Sequence, residues 1–408
     1  MGFWKISALT STFRSLKVRN YRLYFIGQII SLSGTWTQSF AQGWLVLDLT
    51  HDNALDLGIT AALQFLPMLM FGPVGGLFAD RNSKRKILIF TQTFSLLVAI
   101  VLGLSVTLKF VSFFVVIILA VSLGLINVFD NPARQSFVVE LVGTNDLSNA
   151  IGLNTVLINL ARIVGPATGG ILIGFVGIAW CFYLNAVSFL AVIIALVLMR
   201  RKDLYSKPPI KAAKNQIRDG FKYVAHKKDL LVPLLVITVV GTLAYNFQVT
   251  LLLLARQSFH LSSSASGMFF AFMGIGAVIG GLIVAGRKQP SNRAFIVSTL
   301  CFGVLITLVA LSPNVIFGEV LVIPMGTFSI FFIAYGNTIL QLRSDPSFRG
   351  RVMAFYAIAF LGTTPIGSLI VSAVASTFNP RVAIGLGGVA TFITGVVAGL
   401  YYKKMRDI

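Results

Sequence analysis

The predicted fold class is an all-α membrane protein with twelve transmembrane helices in two six-helix bundles, and three observations predict it. The first is composition. Of 408 residues, 56% are hydrophobic and 11% charged, whereas a soluble domain carries about 25% charged residues. The second is that the apolar residues fall into runs long enough to cross a bilayer core, which takes about 20 residues per helix. The third is the placement of Lys and Arg. With the N-terminus in the cytoplasm, 29 of them lie in cytoplasmic segments, three (Lys109, Arg256, Arg381) lie on the other side, and Arg162 lies inside a run. One span missed or invented would invert that bias partway along the chain.

Taken in order, residues 1–22 form a cytoplasmic segment carrying Lys5, Arg14, Lys17, Arg19 and Arg22, and the apolar run that follows is too long for the core of a cleavable signal. Phe3, Trp4 and Phe13 among those charges suggest a helix on the membrane surface. Spans near 23–48, 57–79, 87–108, 110–131, 155–176 and 178–199 make the N-terminal bundle, 23–199. Residues 200–230 are a basic cytoplasmic linker: "SKPPIKAAKNQ" reads as a connector and "IRDGFKYVAHKKDLL" as an amphipathic surface helix. Spans near 231–256, 266–285, 294–312, 315–340, 353–376 and 382–402 make the C-terminal bundle, 231–402, and a cytoplasmic tail, 403–408, follows. The halves echo each other. Span four ends "DNPARQ" and span ten ends "GNTILQ", each with Asn four residues before Gln; span five carries Gly165-Pro166 and span eleven Thr364-Pro365. A parallel repeat of six helices is a transporter construction, with the substrate site near mid-membrane.

Polar side chains inside the spans mark a path. Gln28, Ser31, Thr35, Gln38 and Gln42 share one face of span one at steps of three and four. Such a stripe lines a wet cavity or hydrogen-bonds between helices. Span five places Thr155, Asn159 and Arg162 on one face. An Arg this deep costs about 2.5–3.5 kcal/mol on insertion scales and needs a partner. Asp130, beside Arg134 at the inner end of span four, is the expected one. In the second half, Thr238, Thr242, Tyr245 and Gln248 on span seven and Asn337 on span ten extend the path. Phe269, Phe272 and Met273 form an apolar wall suited to a bulky amphiphile. Proton coupling needs an acid within the membrane. Glu319, one turn into span ten, is the first candidate and Asp48, near the outer end of span one, the second.

Between spans two and three the chain reads "GGLFADRNSKRK", with Gly76, Asp80, Arg81, Arg85 and Lys86 in the pattern GxxxDRxxxRK. This resembles the signature loop of the major facilitator superfamily, with Ser83 where that family usually has Gly. Gly72 and Gly76 allow a close helix approach, and Asp80 can accept from the amides of another helix start, as a latch. "DNPARQSFVVELVGTNDLSNAIGLNTVLINLARIVGPATGGIL" (130–172), "RGRVMAFY" (349–356) and "WLVLDLT" (44–50) resemble the branch holding siderophore exporters and macrolide-efflux proteins. "GPATGG", with Gly165, Pro166, Gly169 and Gly170, is similar to the antiporter motif of drug–proton exporters: Pro166 bends the helix and the glycines pack it tightly. The loop after span eight is eroded, with Ala285 where the Asp would fall.

The net charge of +20 is spread in short clusters rather than a basic domain, so no nucleic-acid partner is expected. Cys181 and Cys301 lie within apolar runs and read as core residues. No metal-ligand spacing, nucleophile–base arrangement or phosphate-cradling loop appears, so neither a cofactor, a metal nor enzyme activity is expected. The resemblance implies a bacterial inner-membrane protein, a monomer in lipid with both termini cytoplasmic, that exports a bulky drug- or siderophore-like molecule in exchange for protons. An importer or lysolipid-moving facilitator of the same fold is the alternative; an intramembrane enzyme or a receptor is the alternative from another class.

Overall fold

The computed structural model describes residues 13–205, 216–285, 290–345 and 348–406. Phe3, Trp4, Lys5 and nearly all of the "SKPPIKAAKNQ" connector lie outside the described residues. Within them every regular element is helical. The helices are α1 (Arg19–Leu49), α2 (Ala54–Arg81), α3 (Lys84–Thr107), α4 (Phe113–Val142), α5 (Leu147–Phe175), α6 (Ala179–Leu198), α7 (Gln216–His226), α8 (Lys228–Leu243) and α9 (Phe247–Leu253). They continue with α10 (Ser263–Ala285), α11 (Asn292–Ala310), α12 (Val315–Arg343), α13 (Arg349–Ala357), α14 (Thr364–Thr377) and α15 (Pro380–Arg406).

Local chemistry sets several ends. Ser112, Ser291 and Asn314 cap α4, α11 and α12 by accepting from the amides of Val115, Ala294 and Phe317. Gly143, at φ +68°, ends α4. The predicted amphipathic stretch is helical in its first part, as α7, but the helix ends at His226 and residues 228–231 open α8. Two predicted spans are interrupted. Span seven is α8 and α9, bent by 41° at 244–246. Span eleven is α13 and α14 joined by a π turn at Ile358–Gly362. Pro365, in the first turn of α14, lacks the N–H that would bond back to residue 361, so the ladder slips there.

Ten helices among the described residues are long and apolar enough to cross a membrane, or eleven if α8 and α9 form one bent span. The expectation was twelve. The long helix not among them is α1, whose polar stripe dilutes its apolar run over 31 residues. Two helices also exceed their expected bounds: α4 continues to Val142 and α5 begins at Leu147. The amphipathic stretches "QSFVVELV" and "LSNAIGLN" are helical without being apolar throughout.

The chain divides into two compact units, residues 1–41 with 70–211, and residues 42–69 with 212–408. The C-terminal end of α1 and the N-terminal part of α2 thus group with the second unit. In unit 1, α3 packs along α6 and α4; in unit 2, α11 packs along α15 and α12. These are spans three with six and nine with twelve, the same pairing in each repeat. Spans two and four repeat likewise as eight and ten. A Cβ on Gly75 of α2 would overlap the Val128 carbonyl of α4, and one on Gly276 of α10 would overlap the Ile323 carbonyl of α12. The Val128 carbonyl is accessible because Pro132, four residues on, has no N–H to bond it. Tyr24, Phe137 and Leu141 centre the core of unit 1, and a stack of Phe295, Phe302 and Phe332 centres that of unit 2. Large apolar side chains such as Phe114, Phe175, Ile316 and Leu400 are exposed. Water would not tolerate that surface; lipid does.

Candidate functional site

Four of the five stripe residues on α1 do not face open space. Gln28, Ser31, Gln38 and Gln42 are buried, and Thr35 is exposed. Gln38 accepts from Asn185 Nδ2 at 2.8 Å. Gln28 accepts from Arg134 Nη1. Thr35 donates to the Ser31 carbonyl at 2.8 Å. Gln42, grouped with unit 2, donates to Gln64 at 3.0 Å. Three of the stripe's amides therefore tie helices together in this conformation.

The Gln28 contact leads into a charged network. Asp130 is 3% exposed and is the one buried acid among the described residues. Its Oδ1 accepts from Thr91 Oγ1 at 2.7 Å and Gln92 Nε2 at 2.9 Å. Its Oδ2 accepts from Arg134 Nε at 2.8 Å and Nη2 at 2.6 Å. One carboxylate thus joins α3 to α4 and, through Arg134, to α1. The expected Asp130–Arg162 contact is absent. Arg134 lies one turn along the same helix and offers its planar fork to one oxygen, while the other oxygen is filled from α3. Sequence reasoning missed Thr91 and Gln92. Their signal was two adjacent polar residues in the first apolar turns of span three.

Arg162 lies elsewhere, roughly 20 Å from either end of α5 at 1.5 Å per residue. Its guanidinium sits over the Trp36 ring, 5.4 Å from the centroid. Its Nε is buried without a hydrogen-bond partner. Asn159, one turn earlier and 7% exposed, donates to the Thr155 carbonyl at 2.9 Å, but its Oδ1 is buried and unbonded. The "GPATGG" segment holds this arrangement against α1. A Cβ on Gly165 would overlap Trp36 Cβ, and Thr37 Oγ1 donates to the Gly165 carbonyl at 3.0 Å. Gly169 abuts Phe40; Pro166 and Gly170 are buried. Pro166 also leaves the Arg162 carbonyl without its intrahelical donor.

At the signature loop, Asp80 and Arg81 are exposed and form no ion pair among the described residues. Arg85 does something different: at 8% exposure it donates to the Leu196 and Val197 carbonyls at 2.6 and 3.2 Å, closing the C-terminal end of α6. Lys84 pairs with Glu140 at 3.2 Å. The close helix approach falls on Gly75, since Gly76 and Gly72 have nothing within 4 Å of an added Cβ.

In unit 2, Thr238 and Thr242 bond back to Leu234 and Thr238 carbonyls, and Asn246 Nδ2 bonds the Thr242 carbonyl at 2.6 Å, at the α8–α9 break. Tyr245 packs against Phe247, Phe302 and Phe360. Gln248 is half-buried beside it, and Asn337 accepts from Gln341 at 2.5 Å. Of the coupling candidates, Glu319 is half-buried without an ion pair among the described residues. Asp48 is half-exposed and bound to Arg256 Nη2 at 2.7 Å. Arg256 also pairs with Asp52 at 2.5 Å and lies 4.5 Å from the Trp44 ring centroid. Sequence reasoning missed this clamp; the acids four residues apart, Asp48 and Asp52, were its signal.

Long apolar helices paired in the same order in both units mark a multi-pass membrane protein, and a family profile identifies it as a transporter of the major facilitator superfamily. The chain belongs to the transmembrane secretion effector family, whose profile matches residues 10–407. It is 24% identical over 394 residues to the staphyloferrin A transporter of Staphylococcus aureus (strain NCTC 8325 / PS 47), covering 94% of this chain and 97% of that one. It is likewise 24% identical over 394 residues to the enterobactin exporter EntS of Shigella flexneri, covering 95% of this chain and 92% of that one. A crystallised POT family transporter in complex with a thioalcohol-conjugated peptide shares the fold, with TM-score 0.77 at 12% identity over 95% of this chain and 96% of that one.

Proposed function

We propose that this chain exports a siderophore-like organic molecule across the bacterial inner membrane in exchange for protons. It works as a twelve-span monomer of two six-helix halves with both termini cytoplasmic. Two siderophore transporters matched over most of their length support the cargo class, and the exporter among them supports the direction. In this reading α1 supplies the twelfth span. Asp80 and the Gly165–Gly170 segment bias the exchange between open states. Thr35, Thr238, Thr242, Tyr245, Gln248 and Asn337 line the cargo's route.

The geometry supports Asp130 as the coupling acid ahead of Glu319 and Asp48. A coupling acid must be held charged in one state and be able to lose that charge in another. Asp130 is buried and charge-paired, and protonation would remove the anion on which Arg134, Thr91 and Gln92 converge. Arg134 would then release Gln28, loosening α1 from α4. Deleting the gene from its host tests the cargo. Siderophore secreted to the medium should fall while the intracellular pool rises, and the native gene should restore both. Unchanged secretion alongside new sensitivity to macrolides or lysolipids would overturn the cargo assignment.

A further inference from the structure

We propose that Arg162, Trp36 and Asn159 form the anchor for one chemical group on the cargo: an anionic oxygen with a hydroxyl or amide N–H beside it. The inference rests on the transport reading and names the chemistry of its substrate.

A guanidinium in mid-membrane requires an anion or water. Every carboxylate in an ion pair among the described residues is matched to another cation, and Asp130 is filled by Arg134. Arg162 has instead a neutral ring on one side and a buried, unbonded Nε. The indole orients the planar fork without neutralising it. One turn along, Asn159 offers a buried, unbonded carbonyl oxygen. A buried acceptor with no donor costs about 1–3 kcal/mol, so the pair is complementary to an anion and a donor together. On the same face toward the start of α5, Ile151, Gly152 and Thr155 are exposed, and in this proposal the cargo reaches the pair from that end. Pro166 and Gly165 fix the height of this group by seating α5 on Trp36. Hydroxycarboxylates and catecholates both present the required group. Neutral polyols and simple cations do not.

The test is calorimetric titration of the full-length chain in lipid nanodiscs with citrate, tricarballylate (citrate without its hydroxyl), 2,3-dihydroxybenzamide and glycerol. Citrate or the catechol should bind and glycerol should not. Tricarballylate should bind about tenfold more weakly than citrate, the value of one hydrogen bond to a buried acceptor. Arg162→Lys should weaken anion binding about tenfold, because an ammonium cannot offer the fork. Arg162→Gln should abolish it with the melting temperature retained. Asn159→Ala should make citrate and tricarballylate equal. Wild-type protein that binds neither anion, or binds glycerol equally, overturns the anchor; so does a folded Arg162→Gln variant that binds as wild type. If Arg162→Gln does not fold, the Arg162→Lys loss and the wild-type ligand ratios decide. Lost anion binding with secretion intact would sink the anchor alone, and anion binding without export would sink the transport reading alone.

Discussion

Asp130→Asn is nearly isosteric yet removes the charge at the centre of the buried network. The carboxylate accepts four hydrogen bonds of 2.6–2.9 Å, two of them from Arg134. An amide in its place has one oxygen, and its NH2 group would point at donors. Breaking a buried pair by neutralising one partner costs about 3–5 kcal/mol, because the other charge is left uncompensated. Arg134→Gln should cost a comparable amount, as it strands Asp130. The double variant should be better than the sum of the singles by about 1–3 kcal/mol, the coupling of two residues in direct contact. Unfolding of all four proteins in mixed lipid–detergent micelles closes the cycle. Additive losses, or a loss below about 0.5 kcal/mol for Asp130→Asn, the range of an ordinary surface change, would refute the reasoning.

Three further outcomes are expected. Gly165→Val places two methyl groups in the space of Trp36 Cβ and should destabilise by about 1–3 kcal/mol through overpacking, measured by thermal unfolding; wild-type stability would contradict the close crossing. Arg256→Gln should raise hydrogen exchange across residues 46–53 with little change elsewhere, because Asp48 and Asp52 lose their shared cation; unchanged protection would show that the clamp does not hold that segment. Tyr223 and Lys227, which bond Asp345 at 2.7 and 2.9 Å, hold its carboxyl below the usual carboxylate range. A depressed folded value stabilises above the unfolded pKa of about 3.9 and is lost as pH falls through the lower folded value. Docking of α7 to the α12–α13 loop should therefore hold at pH 4 and weaken as pH falls further in exchange measurements, and Asp345→Asn should remove that pH dependence.

The elements legible in the sequence were those fixed by one-dimensional patterns. Apolar runs located the long helices among the described residues, and the amphipathic period from Ile217 located α7. Pro166 and Gly165 marked a crossing that the structure seats on Trp36. What stayed hidden depends on rotation and depth between helices. Gly75 and Gly76 are adjacent, and only the 100° between them decides which one meets Val128. Arg162 was the expected partner of Asp130, but Arg134 takes it through an i,i+4 fork within one helix while Trp36 holds Arg162 at another level. The stripe on α1 was read from correct spacing, but spacing cannot say whether Gln38 meets water or Asn185. The break at 244–246 has no Pro at its bend; Gly241, pressed against the Ala359 and Phe360 carbonyls, belongs to a packing constraint that no local pattern announces.

Proteoliposomes holding the purified chain, preloaded with siderophore and given a pH gradient, test proton-coupled transport through Asp130 most directly. Siderophore should move only while the gradient lasts, with a countercurrent of protons, and Asp130→Asn should stop gradient-driven movement while leaving siderophore binding intact. Movement that ignores the gradient, or that persists unchanged in Asp130→Asn, would contradict the account.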